Sequence, residues 1–336
     1  MKALVIDRYG GPEVAATREV APPKFGDDDA LIDVYAAGVN PLDFKIRAGK
    51  LKAIRSYSFP LVLGNELSGV VSKVGRNVTA FKPGDEVFAR VDKGHLGAFA
   101  EQAAVVQSCI AKKPANLSHA EAASIPLVGL TSYQALVEKA ELKPGQKVLI
   151  HAGAGGIGTF AIQLAKQLGA HVATTASARN HELVKRLGAD TIIDYTKSDF
   201  AKELRDYDVV YDTLGGDTLL KSFEVVKPGG IVVSIAAAVP DLPTAREMGL
   251  NLVLQMVLRV LNLKIQRAAS RHGVRYAYLF MRADGAQLGK IAEYFTSGKM
   301  IPIVDRVFPL AEASEALRYI ETGRARGKVI IQVRGQ

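Results

Sequence analysis

Cysteine occurs once in the 336 residues, at Cys109, and tryptophan not at all. A lone thiol cannot close an internal disulfide or supply a multi-thiolate zinc cluster, and a reducing, cytoplasmic setting is expected. No apolar run is of uninterrupted membrane-spanning length, and no five like charges stand together. The opening MKALVIDRYGGPEV reaches Asp7 and Arg8 after a short apolar stretch, so export is not expected. None of the 6 histidines has HxH, HxxxH or HExxH spacing, and no metal site is expected. What is there is ordinary folded composition: 48% hydrophobic, 23% charged and 31 glycines. At roughly 150 residues per domain the length suggests about two. The excess of 43 Lys and Arg over 34 Asp and Glu leaves +9. That charge favours anionic partners without choosing among a phosphorylated cofactor, a membrane surface and nucleic acid.

Short apolar runs punctuated by Gly and Pro fill the first third: Lys2 to Asp7, Asp29 to Val39, Leu67 to Val74 and Asp85 to Arg90. They predict an antiparallel, barrel-like β domain. Ser118 and Glu121 then have capping-box spacing ahead of a helical stretch that Pro126 and Gly129 should break or kink. From Val148 onward, nearly all-apolar strands alternate with helical segments, which predicts a doubly wound parallel sheet covered on both faces. Met248 to Ile265 is apolar, but Asn251, Gln255, Arg259, Asn262 and Lys264 interrupt it, so a soluble amphipathic helix is expected rather than a membrane span.

Gly153, Gly155 and Gly158 form a GxGxxG turn between a strand and a helix in KVLIHAGAGGIGTFAIQLAKQLGA. The first permits the turn, the second lets backbone approach a pyrophosphate, and the third lets helix and strand pack closely. Ile157, Ala161, Leu164, Ala165 and Leu168 place one apolar helix face on the sheet. In such a unit a carboxylate about 20 residues further on normally accepts from the ribose 2′-hydroxyl of NAD. Here the second strand ends instead in Ser177, Ala178, Arg179 and Asn180. A hydroxyl and a guanidinium suit a 2′-phosphate, so NADPH is the expected cofactor. Tyr195 is a further phenolic donor or an ordinary strand-end aromatic.

The ordered set AAGVNPLDFKIR, LGNELSGVV, KPGDEVF, GAFAE, GLTSYQAL, the glycine turn and RARGKVII resembles the medium-chain dehydrogenase/reductase superfamily over essentially the whole chain. The resemblance implies an α/β protein: a GroES-like β-barrel catalytic domain, residues 1–122 and 283–336, and a Rossmann NADP-binding domain, residues 123–282. Alcohol dehydrogenases of that superfamily have a cysteine where this chain has Asn40 and a His-Glu pair where it has Asn65 and Glu66. The chain is similar instead to the zinc-independent quinone oxidoreductases and, more closely, to enone oxidoreductases with an NPVDFK-like motif, here Asn40 to Lys45. The resemblance implies that Lys45 lies where substrate and nicotinamide meet and that Asn40 lines the same pocket. It places cofactor contacts on Thr131, Gly153, Gly155, Gly156, Ile157, Gly158, Ser177, Arg179, Asn180, Tyr195, Leu214, Arg326 and Lys328, and it implies a homodimer.

A metal-free pocket must stabilise oxyanion charge with preorganised donors. Lys45, Asn40 and the cofactor's ribose hydroxyl are the candidates, and Tyr57 is a proton relay or a pocket wall. Quinones and α,β-unsaturated ketones or aldehydes suit this arrangement; simple alcohols, which need a Lewis acid or base, suit it less. The competing reading is an NADPH-binding sensor, or a basic protein of RNA or membrane surfaces with little catalysis. It rests on the +9 charge and the Met248 to Ile265 segment. No RNA- or DNA-binding signature supports nucleic acid.

Overall fold

The structure, a computed structural model, describes residues 1–52, 55–92 and 94–335. The chain divides into two compact units, Met1–Leu130 with Ala283–Gln336, and Thr131–Arg282.

The first unit is built on a seven-stranded sheet that runs Val304–Pro309, Lys328–Gln332, Asp29–Val39, Glu66–Val74, Glu86–Arg90, Ile110–Lys112, with Gln102–Val106 also paired to Asp29–Val39. The eleven-residue strand Asp29–Val39 organises it. Along one edge its first half pairs with Gln102–Val106 and its second half with Lys328–Gln332, while Glu66–Val74 takes the other edge. Register shifts at Leu31/Ile32 and Val34/Ala36 bend the strand, as bulges do, so that one strand serves two neighbours on one side. A smaller sheet, Ala15–Glu19, Lys2–Ile6, Leu61–Val62, completes the GroES-like β domain. Leu4, Ile32, Leu67, Phe99, Leu317 and Ile331 are among the side chains in its core. At the capping box Ser118 Oγ accepts from the Glu121 N–H, and Glu121 Oε2 accepts from the Ser118 N–H, which starts the helix His119–Ala123. The chain breaks there and resumes as Pro126–Tyr133, with proline at the helix start, where its missing N–H costs nothing. Gly129 does not break that helix: its N–H donates to the Ile125 carbonyl at 2.7 Å.

The second unit is a six-stranded, wholly parallel sheet in the order Thr191–Ile193, His171–Thr175, Lys147–Ile150, Tyr207–Asp212, Val226–Ser234, Arg275–Tyr278. Strand order reverses between Lys147–Ile150 and Tyr207–Asp212, the switch point at which doubly wound sheets bind ligands. Leu149, Ala173, Val210, Phe223 and Val232 lie in its core. The apolar segment expected as one helix from Met248 to Ile265 is two, Leu252–Leu261 and Leu263–Arg271. They part at Asn262, whose Nδ2 donates to the Pro240 and Leu258 carbonyls at 2.7 and 3.0 Å.

Candidate active site

Glu66, first residue of the strand Glu66–Val74, is fully buried. An ionised carboxylate is tolerable in an apolar interior only when paired and hydrogen-bonded. Lys328, at the start of Lys328–Gln332, supplies the pairing. Its Nζ donates to Glu66 Oε1 at 2.6 Å, to Asn40 Oδ1 at 2.5 Å and to the Val39 carbonyl at 3.2 Å. Glu66 Oε2 accepts from the Leu127 N–H at 2.6 Å, placing the negative charge at the amino end of Pro126–Tyr133, where the helix dipole favours it.

Asn40 joins this pair to a second carboxylate. Its Nδ2 donates to Glu66 Oε1 at 2.7 Å and to the Gly38 carbonyl at 3.3 Å, and its backbone N–H donates to Asp43 Oδ2 at 2.7 Å, tying down the first turn of Pro41–Arg47. Asn65 Nδ2 donates to Asp43 Oδ1 at 2.6 Å. Asp43 is completely buried, and desolvation pushes its carboxyl up to about 7 against the opposing pull of Asn65, Asn40 and Lys328. Arg90, also buried, feels both Glu66 and Asp43, and burial draws its guanidinium below the ordinary value.

These contacts correct two sequence expectations. Both Nδ2 hydrogens of Asn40 are engaged, so the donor expected to face an oxyanion is already committed to Gly38 and Glu66. The three ammonium hydrogens of Lys328 are likewise engaged inside the first unit, so Lys328 braces Glu66 and Asn40 instead of closing on a cofactor. Lys45 lies on the same short helix as Asp43 but is exposed, with no carboxylate partner among the described residues. Tyr57 is half-buried against the core of the first unit, its backbone N–H donates to the Tyr9 hydroxyl at 3.0 Å, and burial raises its phenol. Arg326 is exposed.

In the second unit the glycine turn follows Lys147–Ile150 and opens the helix Gly156–Gln167. A Cβ on Gly158 would lie 2.3 Å from the Ala152 carbonyl oxygen, and one on Gly153 would lie 2.1 Å from Thr174 Oγ1, so both positions require glycine for close packing. A Cβ on Gly155 meets only the Ala152 oxygen, at 3.3 Å, which leaves its outer side open. No side chain caps this helix, so its first N–H groups remain for an anion. Ile157 is half-buried, while Ala161, Leu164 and Ala165 are fully buried on the sheet side. Beyond the neighbouring strand His171–Thr175, Ser177 is half-buried, Arg179 is exposed, and the Asn180 Nδ2 donates to Ser177 Oγ at 3.4 Å. Buried Asn180 Oδ1 has no partner. Tyr195 and Leu214, 63% and 53% exposed, follow the ends of Thr191–Ile193 and Tyr207–Asp212. Asp212 fixes the latter turn by accepting from the Leu214 and Gly215 N–H groups. Thr131 is buried within its helix. The turn, Ser177, Arg179, Asn180, Tyr195 and Leu214 thus share the carboxyl edge of one sheet, and their chemistry fits a phosphorylated dinucleotide.

Sequence reasoning missed Asp43, Arg90 and His151. His151, fully buried behind the turn, lies 3.0 Å from Ser222 Oγ and 3.4 Å from Thr175 Oγ1, and desolvation pushes it down to about 4. The one signal available for the first cluster was Glu66 itself, a carboxylate inside the apolar stretch LGNELSGVV that must find a cation. A shallow cavity of about 1090 Å³ opens beside Gly285–Thr296 and Ile110–Lys112, and none of these site residues lines it.

The description "Alcohol dehydrogenase GroES-like domain" matches residues 26–115, and "Zinc-binding dehydrogenase" matches residues 187–331. The chain is 39% identical to 2-methylene-furan-3-one reductase of Solanum lycopersicum, covering 98% of this chain and 79% of that protein. It is 37% identical to the NADPH-dependent alkenal/one oxidoreductase, chloroplastic, of Arabidopsis thaliana, over 98% and 79%. The quinone oxidoreductase of Coxiella burnetii superposes with a TM-score of 0.86 at 35% identity, covering 99% of each chain. The cluster around Asn40, Asn65 and Glu66 does not fit the zinc that one of those descriptions names. An ammonium already sits on Glu66 and Asn40, Asn65 is turned with its NH₂ toward Asp43, and no group of three metal-ligating side chains converges among the described residues.

Proposed function

The chain belongs to the quinone and enone oxidoreductases of the medium-chain dehydrogenase/reductase superfamily, and from that membership we propose that it reduces quinones or the C=C bond of α,β-unsaturated carbonyls with NADPH and without zinc. It is a nicotinamide-dependent oxidoreductase. The observation that carries the cofactor reading is the uncapped amino end of Gly156–Gln167 beside a second strand that ends in Ser177 and Arg179 rather than a carboxylate.

When bound, the cofactor supplies hydride; the rest is the task of this chain's residues. The N–H groups around Gly155, Gly156, Ile157 and Gly158 would hold the pyrophosphate. Ser177, Arg179, Asn180 and Tyr195 would take the 2′-phosphate, with Arg179 giving a charge-assisted bond. Leu214 and Thr131 would flank the ring-bearing half, with Arg326 as a peripheral cation. On the acceptor, hydride addition at the β-carbon leaves an enolate oxygen that needs a donor. The unpaired ammonium of Lys45 is the donor we assign, with Tyr57, whose phenol burial pushes further above its ordinary value, as the phenolic donor nearby in sequence. Asn40 and Lys328 act through position, holding the helix Pro41–Arg47 that presents Lys45. A reducing, cytoplasmic setting is supported by the single, buried Cys109, and a homodimer completes the reading.

NADPH oxidation with a naphthoquinone, methyl vinyl ketone and crotonaldehyde tests the activity: turnover of at least one is expected, and none across a broad acceptor panel sinks the proposal. Arg179→Ala should raise the KM for NADPH about tenfold or more while leaving NADH nearly unchanged. Equal losses for both would remove the 2′-phosphate assignment.

A further inference from the structure

Leu252–Leu261 is a formed helix with no fully buried residue, and only Gln255 and Leu258 are half-buried. Leu252, Val253, Met256, Val260 and Leu261 are 76%, 71%, 71%, 64% and 57% exposed. A ten-residue helix is marginal in water unless an apolar face is packed. Here little of the apolar face is packed, Leu258 being half-buried, and the helix is held at its ends, by Asn251 Oδ1 accepting from the Leu254 N–H at 2.9 Å and by buried Asn262 bonding Pro240 and Leu258. The next helix, Leu263–Arg271, packs Ile265, Ala268 and Ala269 on the core of the second unit. Lys264, Arg267 and Arg271, spaced i, i+3, i+7, form one exposed basic face on it. Between residues 246 and 275 there are six Lys or Arg and one acid, Glu247, which is paired with Lys139 at 3.1 Å. None of the six has a carboxylate partner among the described residues.

We propose that this helix pair is a docking surface for an anionic lipid bilayer. The apolar helix would lie in the boundary between headgroups and acyl chains, and Lys264, Arg267 and Arg271 would meet lipid phosphates. An apolar helix next to a basic one is the composition that anionic interfaces attract. At 1.5 Å per residue the apolar helix is about 15 Å long, half a bilayer core, so it lies on the membrane and does not cross it. No helix among the described residues is long and apolar enough to span. A second copy of the chain is the less favoured occupant, because a two-fold contact apposes a patch with itself and would bring these unpaired cations together. The inference stands apart from the reductase reading.

Co-sedimentation of the full chain with phosphatidylcholine vesicles, with and without phosphatidylserine, is the test. Binding is expected only with phosphatidylserine and should weaken as salt rises. Lys264→Gln, Arg267→Gln and Arg271→Gln together should lower partitioning on the order of a hundredfold. Leu252→Ser, Met256→Ser and Val260→Ser together should abolish it. All six side chains are exposed, and far-ultraviolet circular dichroism checks that each variant is folded. Equal binding to neutral vesicles, or none to either, overturns the proposal. So does sedimentation equilibrium showing a dimer that the serine variant alone turns into monomer, because the surface then belongs to a second copy.

Discussion

Glu66 and Lys328 are 262 residues apart in sequence and 2.6 Å apart in space, and each justifies the burial of the other. Lys328→Met would leave an uncompensated carboxylate in the core, with an expected loss of about 3–5 kcal/mol in the unfolding free energy. Urea denaturation measures it, and Glu66→Gln in the same chain should recover part of the loss. A full-strength fold with Lys328→Met would show that the pair contributes nothing. Asp43 makes a second expectation. Its carboxyl titrates near 7 when folded against 3.8 ordinarily, so the native state holds the proton more tightly. The advantage this gives the fold is complete below pH 3.8 and is lost as pH rises through 7. His151 runs the other way: about 4 when folded against 6.5, it contributes stability above pH 6.5 that disappears as pH falls through 4. Between about pH 4 and 6.5 the two contributions oppose each other, so unfolding free energy should climb more steeply toward neutrality in Asp43→Asn than in the parent chain. An unchanged slope would show that Asp43 does not oppose the climb. Asn65 Oδ1, buried and without a partner, becomes an acceptor for protonated Asp43 if the amide rotates by half a turn.

At the level of elements, the glycine turn separates packing from binding. Gly158→Ala forces a Cβ to 2.3 Å from backbone oxygen, so melting temperature and NADPH affinity should both fall. Gly155→Ala meets only one oxygen at 3.3 Å, so affinity should fall about tenfold or more while the melting temperature holds. Fluorescence titration beside thermal melts distinguishes them, and parallel losses in both variants would mean that Gly155 also serves packing. Such elements were legible because their signals are local. The run Asp29–Val39 reads as a strand over its whole length, the Ser118 and Glu121 spacing reads as a cap, and the glycine turn reads between a strand and an amphipathic helix. Elsewhere the deciding contact was remote. Asn262 splits one expected helix into two by reaching the Pro240 carbonyl 22 residues back. The engagement of Asn40 and Lys328 with Glu66 crosses the sheet between strands that no periodicity links. A motif can place Asn40 at a site, but only tertiary pairing shows that its amide hydrogens are already spoken for.

On the scale of the molecule, the first unit is made from both ends of the chain and the second from one continuous stretch, Thr131–Arg282. The core of the latter, from Leu149 to Val274, lies wholly within that stretch. Residues 131–282 expressed alone should therefore unfold cooperatively and retain NADPH binding, as read by calorimetry and fluorescence titration. A fragment that melts without a transition would show that the unit depends on the rest of the chain. The first unit has no such independence, since Lys328–Gln332 is an interior strand between Val304–Pro309 and Asp29–Val39. During translation Glu66 leaves the ribosome long before its countercharge does. Until Lys328 clears the exit tunnel, the nascent domain carries a naked carboxylate where its core must close, and a polypeptide broken off before that point would present this defect to cellular proteases.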